Sequence, residues 1–295
     1  WMTEGGYASA REHGTALTDE PKYYVSWDDG GGMLNPFGDG YLSGGGDVIS
    51  FFLELSGVDI DLNAWRNVAG FLNKWFFAGF INDPEITPYQ FLQDNIFPFL
   101  PVQAVNGANG LRPVIPLLYS SQLPRALYEV QIGSGFYFVS PVDWSSEPDD
   151  IVNRLMLRYA FCLWRESNPA FVQIDNDLAP AQYTGTTTST ITAQMSYTEF
   201  GDRYQEETAA FIYDWKTAIK TAQYLIKTQA FPKMTMEIQA DSQYGWLQLG
   251  DILSVTSAGY FMDKMKMQIT EKSWRNGSWL FVVELENNVI LNARG

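Results

Sequence analysis

Four residues near the end of the chain constrain its fold most: Arg275-Asn276-Gly277-Ser278, set between two strand-like segments, residues 262–274 and 279–286. Asn-Gly accepts positive φ at both central positions of a tight turn, and such turns match the right-handed twist of paired strands. The stretch therefore predicts a long β-hairpin. Two further strand-like segments, 234–240 and 249–256, come before it. Together they predict an antiparallel sheet of at least four strands, which closes into a small barrel or packs beneath a helix.

A helix is predicted immediately upstream, over residues 206–228. Ile212, Trp215, Ile219 and Ala222 recur at helical spacing, continued by Leu225 or Ile226, and form its expected core face. Lys216, Lys220 and Lys227 lie off that stripe, and Phe231-Pro232 ends it.

The first half reads differently. Residues 1–46 are irregular and rich in glycine, and suit a linker or arm. These glycines are not followed by Lys-Ser/Thr, so they do not form a phosphate loop. Asp47 is placed to cap a short helix carrying Val48, Phe51, Phe52 and Leu55. A second helix carries Trp65, Val68, Phe71 and Leu72, and a third opens at Thr87-Pro88. The aromatic segment 75–81 reads as a strand, the turn Asn106-Gly107-Ala108-Asn109-Gly110 as the tip of a hairpin, and 136–139 and 151–160 as further strands. Thr184 to Thr190 reads as a flexible loop.

The expected class is α+β. It comprises a C-terminal antiparallel β-barrel-like domain preceded by a long helix, with an α/β insertion domain in the N-terminal half. The expected divisions are a Gly-rich arm at 1–46, an acidic α/β insertion domain at 47–145, and a barrel domain at 146–290.

Chemical equipment is sparse. The chain has one histidine, His13, and one cysteine, Cys162, so neither a His/Cys zinc site nor an internal disulfide can be built. The thiol usage fits synthesis in a reducing cytosol. Asp175-Asn176-Asp177 lacks the later ligands and the glycine of a calcium loop. Carboxylate pairs are the one enzymatic option: Asp149/Asp150, Glu206/Glu207, Asp59/Asp61 and Asp175/Asp177. A glycosidase needs two such groups facing across a cleft. No catalytic, cofactor-binding or metal-ligating residue is assigned. The net charge of −15 is uneven: residues 1–150 hold 6 Lys/Arg against 19 Asp/Glu, and residues 151–295 hold 13 against 15. That balance opposes tight binding to nucleic acid. No apolar run reaches the ~20 residues of a membrane span. The start is polar, unlike a signal peptide, and Trp1 reads as an interior residue of something longer.

The order of the C-terminal pieces resembles the tail hub, or baseplate hub, proteins of tailed phages and gene transfer agents. A long helix leads to Phe231-Pro232 and a strand, then to Leu247-Gln248-Leu249-Gly250-Asp251 and the next strand, then to the hairpin. Leu247, Leu249, Gly250 and Asp251 carry the leucine-x-leucine-Gly-Asp turn of that family. The helices from Asp47 to Pro101 resemble its inserted α/β segment, and the stretch from Asp149 to Tyr159 the strand that re-enters its barrel. The likeness covers about residues 47–290. It implies a virion structural protein of the tail tip, without enzymatic activity, assembled in the host cytoplasm. It also implies a homo-oligomeric ring, usually a trimer, continuing the tail tube. Its neighbours would be tail-tube, distal tail, tape-measure, spike or fibre proteins, with DNA only in transit and no stable insertion in a membrane. Two other readings stay open: a tail-associated polysaccharide or peptidoglycan hydrolase working through a carboxylate pair, and a receptor- or carbohydrate-binding module using exposed Trp and Tyr.

Overall fold

A computed structural model describes residues 35–38, 42–79, 81, 85–123, 126–139, 143–144, 150–160, 170–174, 187–260 and 262–285. Helices α1 (Gly45–Ser56), α2 (Leu62–Leu72) and α3 (Pro88–Asn95) come first. Strands β1 (Gln103–Gly107), β2 (Gly110–Val114), β3 (Leu127–Gln131), β4 (Phe136–Phe138) and β5 (Asp143–Trp144) follow. Next are β6 (Arg154–Tyr159), β7 (Ala170–Ile174), helix α4 (Thr187–Phe200), strand β8 (Tyr204–Thr208) and helix α5 (Trp215–Gln229). Strands β9 (Met234–Ala240), β10 (Ile252–Ser257), β11 (Met262–Arg275) and β12 (Ser278–Leu285) complete the order.

The chain divides into two compact units, residues 1–101 with 152–230 and residues 102–151 with 231–295. This differs from boundaries at 46 and 145. Strands β3, β4 and β5, expected in the insertion domain, belong to the sheet of β9 to β12, whereas α5, expected in the barrel domain, belongs to the other unit. Strand pairing at long sequence separation, invisible to local periodicity, sets the division.

In the first unit, Asp61 caps α2 by accepting from the Ala64 N–H at 3.0 Å, and Thr87 caps α3 by accepting from Gln90 at 3.2 Å. Helix α1 begins at Gly45, inside the expected arm. A Cβ on Gly46 would lie 2.5 Å from the Ala69 backbone, so this glycine serves the close approach of α1 to α2. The buried face of α1 is Val48, Ile49, Phe52 and Leu53, while Leu55, expected on it, is 60% exposed. Trp75 to Phe77 is not a strand. Its backbone bonds to the first residue of α1 and the segment before it (Gly45 N to Trp75 O, Phe77 N to Ser43 O), and Gly44 and Phe76 form only an isolated bridge.

Strand β6 lies between β7, antiparallel, and β8, parallel. Leu155 and Leu157 are buried while Arg154 and Arg158 pair with Asp202 and Glu206 at 3.0 and 2.5 Å, the alternation of a strand with one face buried. Two local expectations fail here. Thr187 to Thr190 opens helix α4, whose Ala193 and Ser196 are fully buried; packing overrides weak propensity. Residues 206–208 are strand, and the helix starts only at Trp215, where Asp214 accepts from the Thr217 N–H at 3.0 Å.

The face that α5 buries also differs. Ile212 is buried but precedes the helix, Trp215 is 56% exposed, Ile219 is partly buried and Ala222 is fully buried. The buried face is Thr217, Ala218, Thr221, Ala222, Leu225 and Ile226. Two threonines sit there because each meets a backbone group. The Phe76 N–H donates to Thr217 Oγ1 at 3.0 Å, and Thr221 Oγ1 donates to the Phe99 carbonyl at 3.0 Å. Thr221→Val keeps the shape but removes that donor. It is expected to cost about 1 kcal/mol in urea unfolding.

The second unit is a hairpin, β1–β2, and a seven-stranded sheet in the order β3-β10-β11-β12-β9-β4, with β5 also on β9. All pairings are antiparallel except β3 with β10. The Asn276-Gly277 turn takes φ of 50° and 82° and sets Trp274 opposite Trp279, as its sequence predicts. The two edge strands, β3 and β4, are consecutive in the chain. The turn between them is pinned where Gly133 donates to the Phe136 carbonyl at 2.8 Å and Ile132 bridges Phe136. A sheet whose edges meet at one end must curl into a partly closed barrel. Its core holds Met236, Ile238, Leu253, Val255, Ile269 and Phe281. Among the described residues, no helix is long and apolar enough to cross a membrane.

Candidate functional site

The leucine-x-leucine-Gly-Asp residues form the corner that leads into β10. Leu247 is 1% exposed and anchored in the barrel core, with Leu249 packed against it. The chain then reverses tightly. Asp251 N donates to the Gln248 carbonyl at 3.1 Å, and Gln248 N donates back to Asp251 Oδ2 at 2.8 Å. Such side-chain-to-backbone bonding is what makes Asp a turn residue. Gly250 takes φ of 86°, and a Cβ there would lie 2.6 Å from Val114. The corner is stitched to β11 by Gly250 N to Ile269 O (2.8 Å) and Ile269 N to Asp251 O (3.0 Å).

Around this corner lies a polar cluster that the motif alone does not contain. Arg112, from β2, hydrogen-bonds Gln248 and lies 3.8 Å from Asp251. Lys272, from β11, donates to the Gly245 and Leu247 carbonyls at 2.5 and 2.7 Å, with its ammonium 4.3 Å from the Trp279 ring centroid. Gln268 donates to the Ile115 and Gly250 carbonyls at 2.9 and 3.1 Å. The corner therefore fastens β2, β10 and β11 together. Arg112, Gln268 and Lys272 are far from it in sequence, and no local pattern could have singled them out.

Burial raises the Asp251 carboxyl above its ordinary pKa, against the opposing pull of the Gln248 N–H, Arg112 and Lys272. Burial lowers Lys272, with Asp251 pulling it back up. A raised carboxyl means that the folded chain binds the proton more tightly than the unfolded chain. Its contribution is complete below the unfolded pKa and is lost as pH rises through the folded pKa. Asp251→Asn imitates the protonated state and can still accept from Gln248. It is expected to flatten the fall of stability above about pH 4, measured as urea midpoints against pH.

The carboxylate pairs do not face one another across a cleft among the described residues. Asp61 caps α2 and Asp59 is exposed. Glu206 pairs with Arg158 on β6, and Glu207, on the opposite face of β8, accepts from Gln205. Asp150 is exposed; Asp149, Asp175, Asp177, His13 and Cys162 lie outside the described residues. Among the described residues no group of three His, Cys, Asp or Glu side chains could hold a metal ion. Large aromatic side chains are exposed on both units: Tyr137, Trp246, Tyr260 and Trp274 on the barrel unit, Phe76, Tyr213 and Trp215 on the other.

Against known proteins, no family model and no curated protein matches the sequence. Solved structures do. A chain of the virion of a native gene transfer agent particle is similar over 83% of this chain at 11% identity, with a TM-score of 0.52. This chain matches 48% of that one, about half its length. A tail protein from Neisseria meningitidis MC58 is similar over 84% of this chain and 68% of its own at 10% identity, TM-score 0.47. A 43 kDa prophage tail protein from Shewanella oneidensis is similar over 70% and 56% at 12% identity, TM-score 0.37. The likeness to the gene transfer agent chain is one of fold, the kind that the order of the motifs implies.

Proposed function

We propose that this chain is a structural subunit of a phage-type tail, at the tip or baseplate, where copies assemble into a hub ring continuing the tail tube. The observation that carries this reading is the fold shared, over 83% of the chain, with a chain of a gene transfer agent virion. The roles of the described carboxylates, in helix capping and ion pairs, favour a structural subunit over a hydrolase. Acidity concentrated in residues 1–150 suits a protein that DNA must pass without adhering. In this reading the neighbours are tail-tube, tape-measure, spike or fibre proteins, and the ring is a trimer.

The test is genetic and compositional. Quantitative mass spectrometry of purified particles is expected to find the chain at a small fixed copy number divisible by three. Deleting its gene is expected to leave particles without a functional tail. Fully infectious particles lacking the chain would contradict the proposal.

A further inference from the structure

Strand β3 pairs with β10 along one edge, and no described strand pairs with the other. Ile132 N donates to Thr256 O, so alternation turns the Leu127 and Glu129 backbone groups, and the Gln131 N–H, toward that second edge. Leu127, Glu129 and Gln131 are all exposed. A groove of about 390 Å³ runs along the edge. The core residues Val130, Phe136 and Leu247 line it, together with Tyr244 and Trp246. Trp246 is 54% exposed and Leu127 48%, so apolar surface borders the row of backbone groups. Such an edge is complementary to an extended polypeptide. A compact ligand meets one or two of these groups, whereas a strand meets them all, because outward donors and acceptors recur every second residue, about 6.6 Å apart, on both partners.

Alternation also sorts the side chains. Val130 belongs to the barrel core and Tyr128 packs against it, so Leu127, Glu129 and Gln131 turn to the opposite face. A strand laid beside β3 alternates in the same way. Every second side chain comes to rest with Tyr128 and Val130 and is favoured if apolar; those between stand with Glu129. Glu129 is the one charged side chain among the described residues that line the groove. A cation beside it is favourable and an anion unfavourable. That bears against a second copy of the same edge: two β3 strands overlapping along their full length about a twofold axis set Glu129 directly opposite Glu129. We propose that this edge of β3 is a docking site for an extended segment of a partner protein in which apolar residues alternate with Lys or Arg. The proposal does not rest on the tail assignment.

The test presents a display library of random nonapeptides to the full chain. Sequences alternating Val, Ile or Leu with Lys or Arg are expected to be enriched. Glu129→Lys is expected to switch the charged positions to Asp or Glu. Leu127→Pro removes an outward N–H and leaves the pairing with β10 intact, and it is expected to lower the enrichment about tenfold. One selected peptide, synthesised and added at saturation, is expected to slow amide exchange at Leu127, Glu129 and Gln131 at least about tenfold. N-methylation of one alternate set of its amides is expected to abolish that protection, and methylation of the other set to leave it, a result that depends on no variant of β3 folding. Protection of the Leu127 and Glu129 amides before any peptide is added, because their own chain or a second copy covers them, would overturn the proposal. So would the absence of enrichment, peptides without alternation, a charge preference unmoved by Glu129→Lys, or protection confined to other strands. A peptide held on β3 says nothing for or against the tail role, so the two readings fail separately.

Discussion

Replacing Phe281 with alanine is expected to lower the stability of the barrel unit by about 3–5 kcal/mol. Phe281 is fully buried in β12, opposite Ile238 on β9 and Lys272 on β11. It belongs to a buried core with Met236, Leu253, Val255 and Ile269. Strands on both sides are held by ladders, so the cavity cannot collapse without breaking backbone hydrogen bonds. Amide hydrogen exchange in β9 to β12 measures the loss on this unit alone, since the chain has two compact units. Phe281→Leu, which refills much of the volume, is expected to cost less than half as much.

Gly250→Val is the second large effect, again about 3–5 kcal/mol, from two independent sources. The φ of 86° is a left-handed conformation that a β-branched residue tolerates poorly, costing ~1–3 kcal/mol. A Cβ would also lie 2.6 Å from a Val114 methyl, and relieving that overlap costs ~1–3 kcal/mol more. Because the corner joins β2, β10 and β11, the damage should show in all three by hydrogen exchange. Gly259→Ala serves as the control. A Cβ there meets nothing within 4 Å, and the expected change is within about 0.5 kcal/mol. Equal losses at the two glycines would show that the corner has no special role.

The hairpin at Asn276-Gly277, the opening of α3 at Thr87 and the strand at β6 were legible because each depends on residues a few positions apart. The errors share a cause, which is that tertiary contacts outvoted local pattern. Gly46 is a packing residue because Ala69 lies against it, and nothing near Gly46 in sequence says so. Trp215 and Ile219 have the hydrophobicity of a core face, yet α5 turns its threonines inward because Phe76 and Phe99 present backbone groups there. Glu206 and Glu207 suit a first helical turn, but pairing with β6 makes them strand. At the Leu247 to Asp251 corner, the motif was readable and its partners were not.

The central claim, that copies of this chain ring the axis of a phage-type tail, is tested most directly by cryo-electron microscopy of the intact particle at side-chain resolution. The account predicts density for the β9–β12 barrel and its Asn276-Gly277 hairpin, repeated by rotational symmetry around a central channel at the tail tip. A tail tip resolved throughout, with this chain absent from the ring or attached as a single peripheral copy, would contradict it.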